Sequence, residues 1–178
     1  MGKYCIAFLP SNDNELISLS NSFTNLNKEY KLGIESIPHV TVCQFFYEDS
    51  EIENLWGLIT KNIETHQINL SFDSFSCITF DNEIFWISLL PTETEDLHNI
   101  NQQITSMLKI ESSRLYDPHL TLLSTKDAYY ESKAEQNIGE YKKIADDFIL
   151  SMGECDEIGQ FTKILFQCEL TSSCKNGI

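Results

Sequence analysis

The stretch "IPHVTVCQF", residues 37–45, decides how this chain folds. It returns about eighty positions later as "YDPHLTLLS", residues 116–124. Both copies read Pro-His-apolar-Thr-apolar, and together they hold two of the chain's four histidines. In a strand, side chains at i and i+2 share a face. His39 and Thr41 therefore project together while Val40 and Val42 point the other way. His119 and Thr121 repeat the arrangement over Leu120 and Leu122. Threonine is β-branched and restricted at χ1, so its hydroxyl is pre-aimed. Pro38 and Pro118 fix φ and suit the first residue of a strand.

Outward from these motifs the chain reads as two half-repeats. "KYCIAFLP" (3–10) is an apolar run ended by Pro, the pattern of a buried strand. Leu16, Leu19, Phe23, Leu26 and Tyr30 then step by three and four, which predicts a helix with caps among Ser11, Asn12 and Asp13. After the first His strand, Ser50 and Glu53 have the spacing of a capping box, and Ile52, Leu55, Ile59 and Ile63 carry a second helix. A strand over 67–80 and a turn at "DNE" complete the half. "IFWISLLP" (84–91) restarts the pattern. Thr92 and Glu95 form a second capping-box spacing, and Leu97, Ile100, Ile104 and Met107 step as the first helix does. The second His strand, a helical stretch within 127–145 and two strands, "DFILSMGE" and "FTKILFQCEL", follow. This order predicts an α+β fold of one domain, residues 1–178, with lobes of about 1–80 and 81–178. Two small antiparallel sheets related by a pseudo-twofold axis would line a central cleft, with helices outside and His39 and His119 at the centre.

Bulk properties narrow the partners. The formal net charge is -15 and the sequence has one arginine, Arg114, which argues against a grip on long nucleic acid. One local cluster of donors still holds one phosphate, so a nucleotide or short oligonucleotide fits. The N-terminal "MGKYCIAFLP" has no cleavage-site pattern, and Ile6 stands where a myristoylation start needs Ser or Thr. No run reaches membrane-spanning length. Six cysteines without CxxC pairing read as free, mostly buried thiols of a reducing compartment, which predicts a cytoplasmic protein. A monomer without cofactor is expected. Cys43 is expected on the face of His39, and Trp86 inside the second lobe.

Two such units facing one cleft bring two imidazoles and two hydroxyls around one space. One His can take a proton while the other gives one, on opposite sides of a phosphorus. The Thr hydroxyls can donate to the non-bridging oxygens. Two histidines without carboxylate or Cys partners at ligand spacing make a poor zinc site, so no metal is expected. His66 and His98, on predicted helix positions, read as surface residues.

At His39, Thr41, His119 and Thr121 the sequence resembles the 2H phosphoesterase superfamily, in particular its RNA 2'-5' ligase-like and cyclic nucleotide phosphodiesterase group. The lead-in Tyr116-Asp117-Pro118 also matches that family's aromatic-x-Pro-His pattern. The resemblance implies a bilobal α+β fold and metal-independent chemistry on phosphodiesters that involve a ribose 2'-oxygen. It implies catalytic roles for His39, Thr41, His119 and Thr121. Ser124, Thr125 and Lys126 stand where ligase-like members often carry Arg, which leaves the substrate class open. Phe45, on the expected His39 face, Tyr116, before the second motif, and Lys126, the nearest cation after it, are candidates to touch substrate. The reading is a hydrolase of 2',3'-cyclic or 2'-5' phosphodiesters. The alternatives are a nucleotide-binding or sensing module that does not turn its ligand over, and a ligase or RNA end-processing component.

Overall fold

The computed structural model describes residues 1–29, 32–79, 83–110, 115–127, 129–138 and 143–169. Seven strands and four helices alternate through the described chain. They are β1 (Gly2–Pro10), α1 (Asn14–Ser22), β2 (Val40–Tyr47), α2 (Ile52–Asn62), β3 (Gln67–Thr79), β4 (Phe85–Pro91), α3 (Glu95–Leu108), β5 (Leu120–Thr125), α4 (Tyr130–Ile138), β6 (Ile144–Cys155) and β7 (Phe161–Gln167). A 3₁₀ turn, Asp49–Glu51, leads into α2. No helix among the described residues is long and apolar enough to cross a membrane.

Every strand pairing is antiparallel, in the order β1-β2-β5-β4-β3-β6-β7. The expected α+β class is what the structure has, with the two sheets continuous. The long strand β6 joins them. Its first half, Ile144 to Ile149, pairs with β3, and Phe148 to Glu154 pairs with β1. On the cleft side the junction is a single pair, Val40 with Leu120. The strands carrying the two histidines meet there and then part, and the space between them opens as a cleft.

The apolar faces explain the layering. On β1, Tyr4, Ile6 and Phe8 enter the main core, while Cys5, Ala7 and Leu9 enter a smaller cluster with Cys155 and Phe161. Both faces of β1 are covered, which is why it reads as a continuous apolar run. Leu16 of α1, Leu55 and Ile59 of α2, and Leu97, Ile100 and Ile104 of α3 pack on the sheet at helical spacing.

Local details depart from the sequence pattern in two ways. The first helix stops at Ser22, short of the expected run through Leu26 to Tyr30, the last of which lies outside the described residues. Its end is rich in Ser, Asn and Thr, which bond locally instead of continuing a helix; the Ser22 hydroxyl donates to Leu19 O. Neither expected capping box forms. The caps of α2 and α3 are Glu51 and Thr94, without side-chain cap bonds, and Thr92 instead donates its hydroxyl to Ser71 O on β3. The "DNE" turn falls largely outside the described residues.

Phe148 is fully buried on the strand shared by both sheets, its ring 5.8 Å from that of Phe72. Phe148→Ala should lower the unfolding free energy by about 3–5 kcal/mol, the usual cost of a cavity of this size. A urea denaturation series checks it, and a loss under ~1 kcal/mol would contradict the shared-core account.

Candidate active site

Each His-Thr motif ends in a β-bulge, and the two bulges correspond. In β2 the register passes from Ala7↔Thr41 to Ile6↔Cys43, so Val42 is the extra residue. In β5 it passes from Ser88↔Thr121 to Ile87↔Leu123, so Leu122 is the extra residue. A bulge reverses the alternation beyond it. Thr41 therefore faces the cleft, but Gln44 follows it there, not Cys43 and Phe45. Phe45 lies in register with Tyr4 and is buried, its ring 6.1 Å from Tyr4 and 6.2 Å from Tyr47. Cys43 is buried in register with Ile6, and burial pushes its thiol up to about 12.

Both bulges are held by a helix of the other half-repeat. Ser20 of α1 donates its hydroxyl to Leu122 O at 2.7 Å, and Asn101 of α3 donates Nδ2 to Val42 O, also at 2.7 Å. A bulge leaves backbone groups off the ladder, and these side chains supply the partners.

The cleft has a volume of about 250 Å³. His39, Thr41, His119, Thr121 and Tyr116 all line it. Lys126 does not; it pairs with Glu29 at 3.1 Å on the surface. Phe45 is likewise absent from the lining. Trp86, expected to pack in the second lobe, does pack against the core and also lines the cleft, paired with Ser124 one step beyond the bulge. Reading from the motifs also missed Gln44, Ile78 and the β6–β7 turn, Ile158 to Gln160. The turn is tied to the first motif's lead-in by Ser36 Oγ to Gln160 Oε1 (2.8 Å) and Ile37 N to Phe161 O (2.9 Å). Gly159 has φ +95°, and a Cβ there would lie 2.5 Å from Gln44 Nε2, so this close approach needs glycine.

The two imidazoles are oriented alike. His39 Nδ1 is 2.7 Å from Ile37 O, and His119 Nδ1 is 2.8 Å from Asp117 O. A carbonyl only accepts, so each Nδ1 carries a proton and each Nε2 is left for the cleft, an acceptor on a neutral ring and a donor on an imidazolium. Their surroundings differ. His39 is 9% exposed, its ring 5.6 Å from that of Phe161. Burial lowers its pKa from 6.5 to about 4; the bond to Ile37 opposes this shift and the neighbouring His119 adds to it. His119 is the more open of the two. His66 sits after α2 with Nε2 3.0 Å from Thr60 O, and His98 on α3 meets the Tyr116 ring edge-on at 5.2 Å.

The hydroxyls are backed from the neighbouring strands. Buried Ser88 donates to Thr121 Oγ1 at 3.4 Å, and the Cys5 thiol approaches Thr41 Oγ1 at 3.9 Å. A threonine oxygen that accepts from behind keeps its own proton for the cleft. Tyr116 donates its hydroxyl to Thr41 O at 2.8 Å, and burial raises its pKa. It thus links the approach to the second motif with the strand of the first.

The 2'-5' RNA ligase superfamily profile matches residues 25–147. The chain belongs to this superfamily. Its fold is also similar to solved structures. E. coli LigT complexed with 3'-AMP is 13% identical, with a TM-score of 0.58 over 94% of this chain and 95% of that one. A crystal structure described as a phosphoesterase is 12% identical, with a TM-score of 0.55 over 94% and 97%. Kluyveromyces marxianus Usb1 is 11% identical, with a TM-score of 0.50 over 92% and 96%. No curated protein matches the chain by sequence.

Two expectations test this geometry. The unfolded chain protonates His39 near pH 6.5, while the folded protein resists doing so until about 4. Its depressed pKa therefore contributes stability that is full above 6.5 and lost as the pH falls toward 4, at most about 3 kcal/mol. Denaturant titrations across that interval should show a shallower loss in His39→Gln; an equally steep loss would contradict the assignment. Ser20→Ala should leave Leu122 O unpaired and lower kcat more than it raises KM, with partial recovery in Ser20→Thr. Unchanged kcat would show that the bulge bond does not position Thr121.

Proposed function

We propose that the protein is a metal-independent phosphodiesterase that hydrolyses 2',3'-cyclic or 2'-5' phosphodiester bonds in a small nucleotide or oligonucleotide. The observation that carries this reading is the pair of Nδ1-anchored imidazoles, each followed by a cleft-facing threonine, lining one cavity. His39 is the base, because burial keeps it neutral with Nε2 open to a proton. It takes a proton from water as the water oxygen attacks phosphorus. The bond from phosphorus to the leaving oxygen breaks, and His119, entering the step as the imidazolium, gives that oxygen its Nε2 proton and ends neutral. Thr41 and Thr121 donate to the non-bridging oxygens, where charge builds in the transition state. The surrounding chain needs no metal for this, since imidazoles and hydroxyls supply every proton and donor. Membership of the 2'-5' RNA ligase superfamily supports the reaction class, and the 3'-AMP in the LigT structure supports a nucleotide as ligand.

The test is turnover of 2',3'-cyclic mononucleotides, ADP-ribose cyclic phosphate, 2'-5' oligoadenylate and cyclic dinucleotides with EDTA present. At least one should be cleaved, with kcat lower by about 10²–10⁴ in His39→Ala and in His119→Ala. The acid limb of kcat/KM should fall near pH 4, where His39 protonates. Activity abolished by EDTA, or undiminished in both variants, would overturn the mechanism. Tight nucleotide binding without turnover would favour a sensing module.

A further inference from the structure

One buried polar side chain of the cleft takes no part in the acid–base step. Gln160, on the β6–β7 turn, lines the cleft and is 7% exposed. Its backbone is satisfied inside the turn: Gln160 N donates to Asp156 Oδ1 at 2.8 Å, and Gln160 O accepts from Asp156 N at 3.1 Å. Its Oε1 accepts from the hydroxyl of Ser36, also buried, at 2.8 Å. Its Nε2, with two N–H groups, meets no acceptor among the described residues. Folded proteins keep few buried donors unpaired, because each was stripped of water without a replacement bond.

The turn is not free to carry the amide elsewhere. Lys3 Nζ donates to Asp156 O and to Glu157 O, both at 2.8 Å, and Gln44 Nε2 donates to Gly159 O at 2.9 Å. Ile37 N donates to Phe161 O at 2.9 Å. Gln160 and His39 are thereby held on the same two residues. Ile37 O anchors His39 at Nδ1, and the Ser36 hydroxyl anchors Gln160 at Oε1. In each side chain the anchored end leaves the other, Nε2, for the cleft. The imidazole brings an acceptor there and the amide brings two donors. The acceptor that the reaction itself supplies is a phosphate oxygen.

We propose that Gln160 is a third donor to the phosphate, its Nε2 holding a non-bridging oxygen of the diester on the His39 side of the cleft. The inference rests on the phosphodiesterase reading above and adds a catalytic residue to it. An amide does not titrate, so this donor stays in place whatever protons the histidines carry.

The first experiment needs no turnover. On titration of the wild type with inorganic phosphate, the Gln160 side-chain N–H signals should shift together with the two histidine Nε2 signals in nitrogen-15 NMR. In kinetics, Gln160→Met removes both donors at similar size and should lower kcat/KM by about tenfold to a hundredfold. Gln160→Glu keeps an oxygen for Ser36 but sets a carboxylate toward the phosphate, and should lose at least as much. Phosphorothioate diastereomers of a cleaved 2',3'-cyclic phosphate separate a lost bond from a packing defect. Gln160→Met should cost less on the isomer whose sulfur, the weaker acceptor, replaces the oxygen that the amide holds. Equal losses on both isomers, or unchanged kcat/KM in both variants, would overturn the inference. Histidine signals that respond to phosphate without the Gln160 amide would count against the donor alone. Joint shifts without turnover of any diester would support the donor and count against hydrolysis alone.

Discussion

The site depends on two β-bulges, one residue after the threonine of each motif. Without the extra residue at Val42 and at Leu122, each His strand would continue its alternation past the threonine. With it, the alternation reverses, and the residue two places past Thr41 leaves the cleft face. The bulges are fixed from outside by Ser20 and Asn101, which occupy corresponding positions on α1 and α3, eighty-one residues apart. Each helix belongs by sequence to one half and clamps the strand of the other. The distance between the two imidazoles is therefore set by reciprocal contacts, not by either half alone.

Symmetry of position is combined with asymmetry of environment. Both histidines face a carbonyl two residues upstream through Nδ1, so both present Nε2 to the same space. The first is sealed by Phe161 and by the β6–β7 turn pinned to Ser36 and Ile37; the second stands near the open rim beside Asp117. Two like groups in unlike surroundings can hold different protonation states at one pH, which is what acid–base chemistry at a phosphorus requires. The net charge of -15 does not oppose this, because in the proposed reaction the phosphate is met by local donors and not by a basic surface.

Much of this was legible in the sequence because it rests on short-range periodicity. The His-x-Thr frame, its repetition and the order of strands and helices follow from spacing alone, and the superfamily and the α+β class agree with them. The bulges were not legible. They arise from the register between β2 and β1 and between β5 and β4, which no single strand specifies. Phe45 was expected beside His39 for that reason, and the cleft-lining side of Trp86, which also packs on the core as expected, was missed. Lys126 was expected near substrate on sequence proximity, but its charge is taken by Glu29, a partner nearly a hundred residues away. The β6–β7 turn reaches the site only through tertiary closure, so nothing local marks Gly159 or Gln160. Neither capping box formed; at the second, the Thr92 hydroxyl is engaged across the sheet by Ser71 O.

The central claim is that His39 and His119 present Nε2 to one shared anion, with His39 neutral. Nitrogen-15 NMR of the histidine rings, titrated with a 2'- or 3'-nucleoside monophosphate, reads both points at once. The account predicts that His39 remains the neutral Nδ1–H form until the pH approaches about 4, and that both Nε2 signals move together on binding. A His39 that titrates near 6.5, or a response confined to one of the two rings, would contradict it.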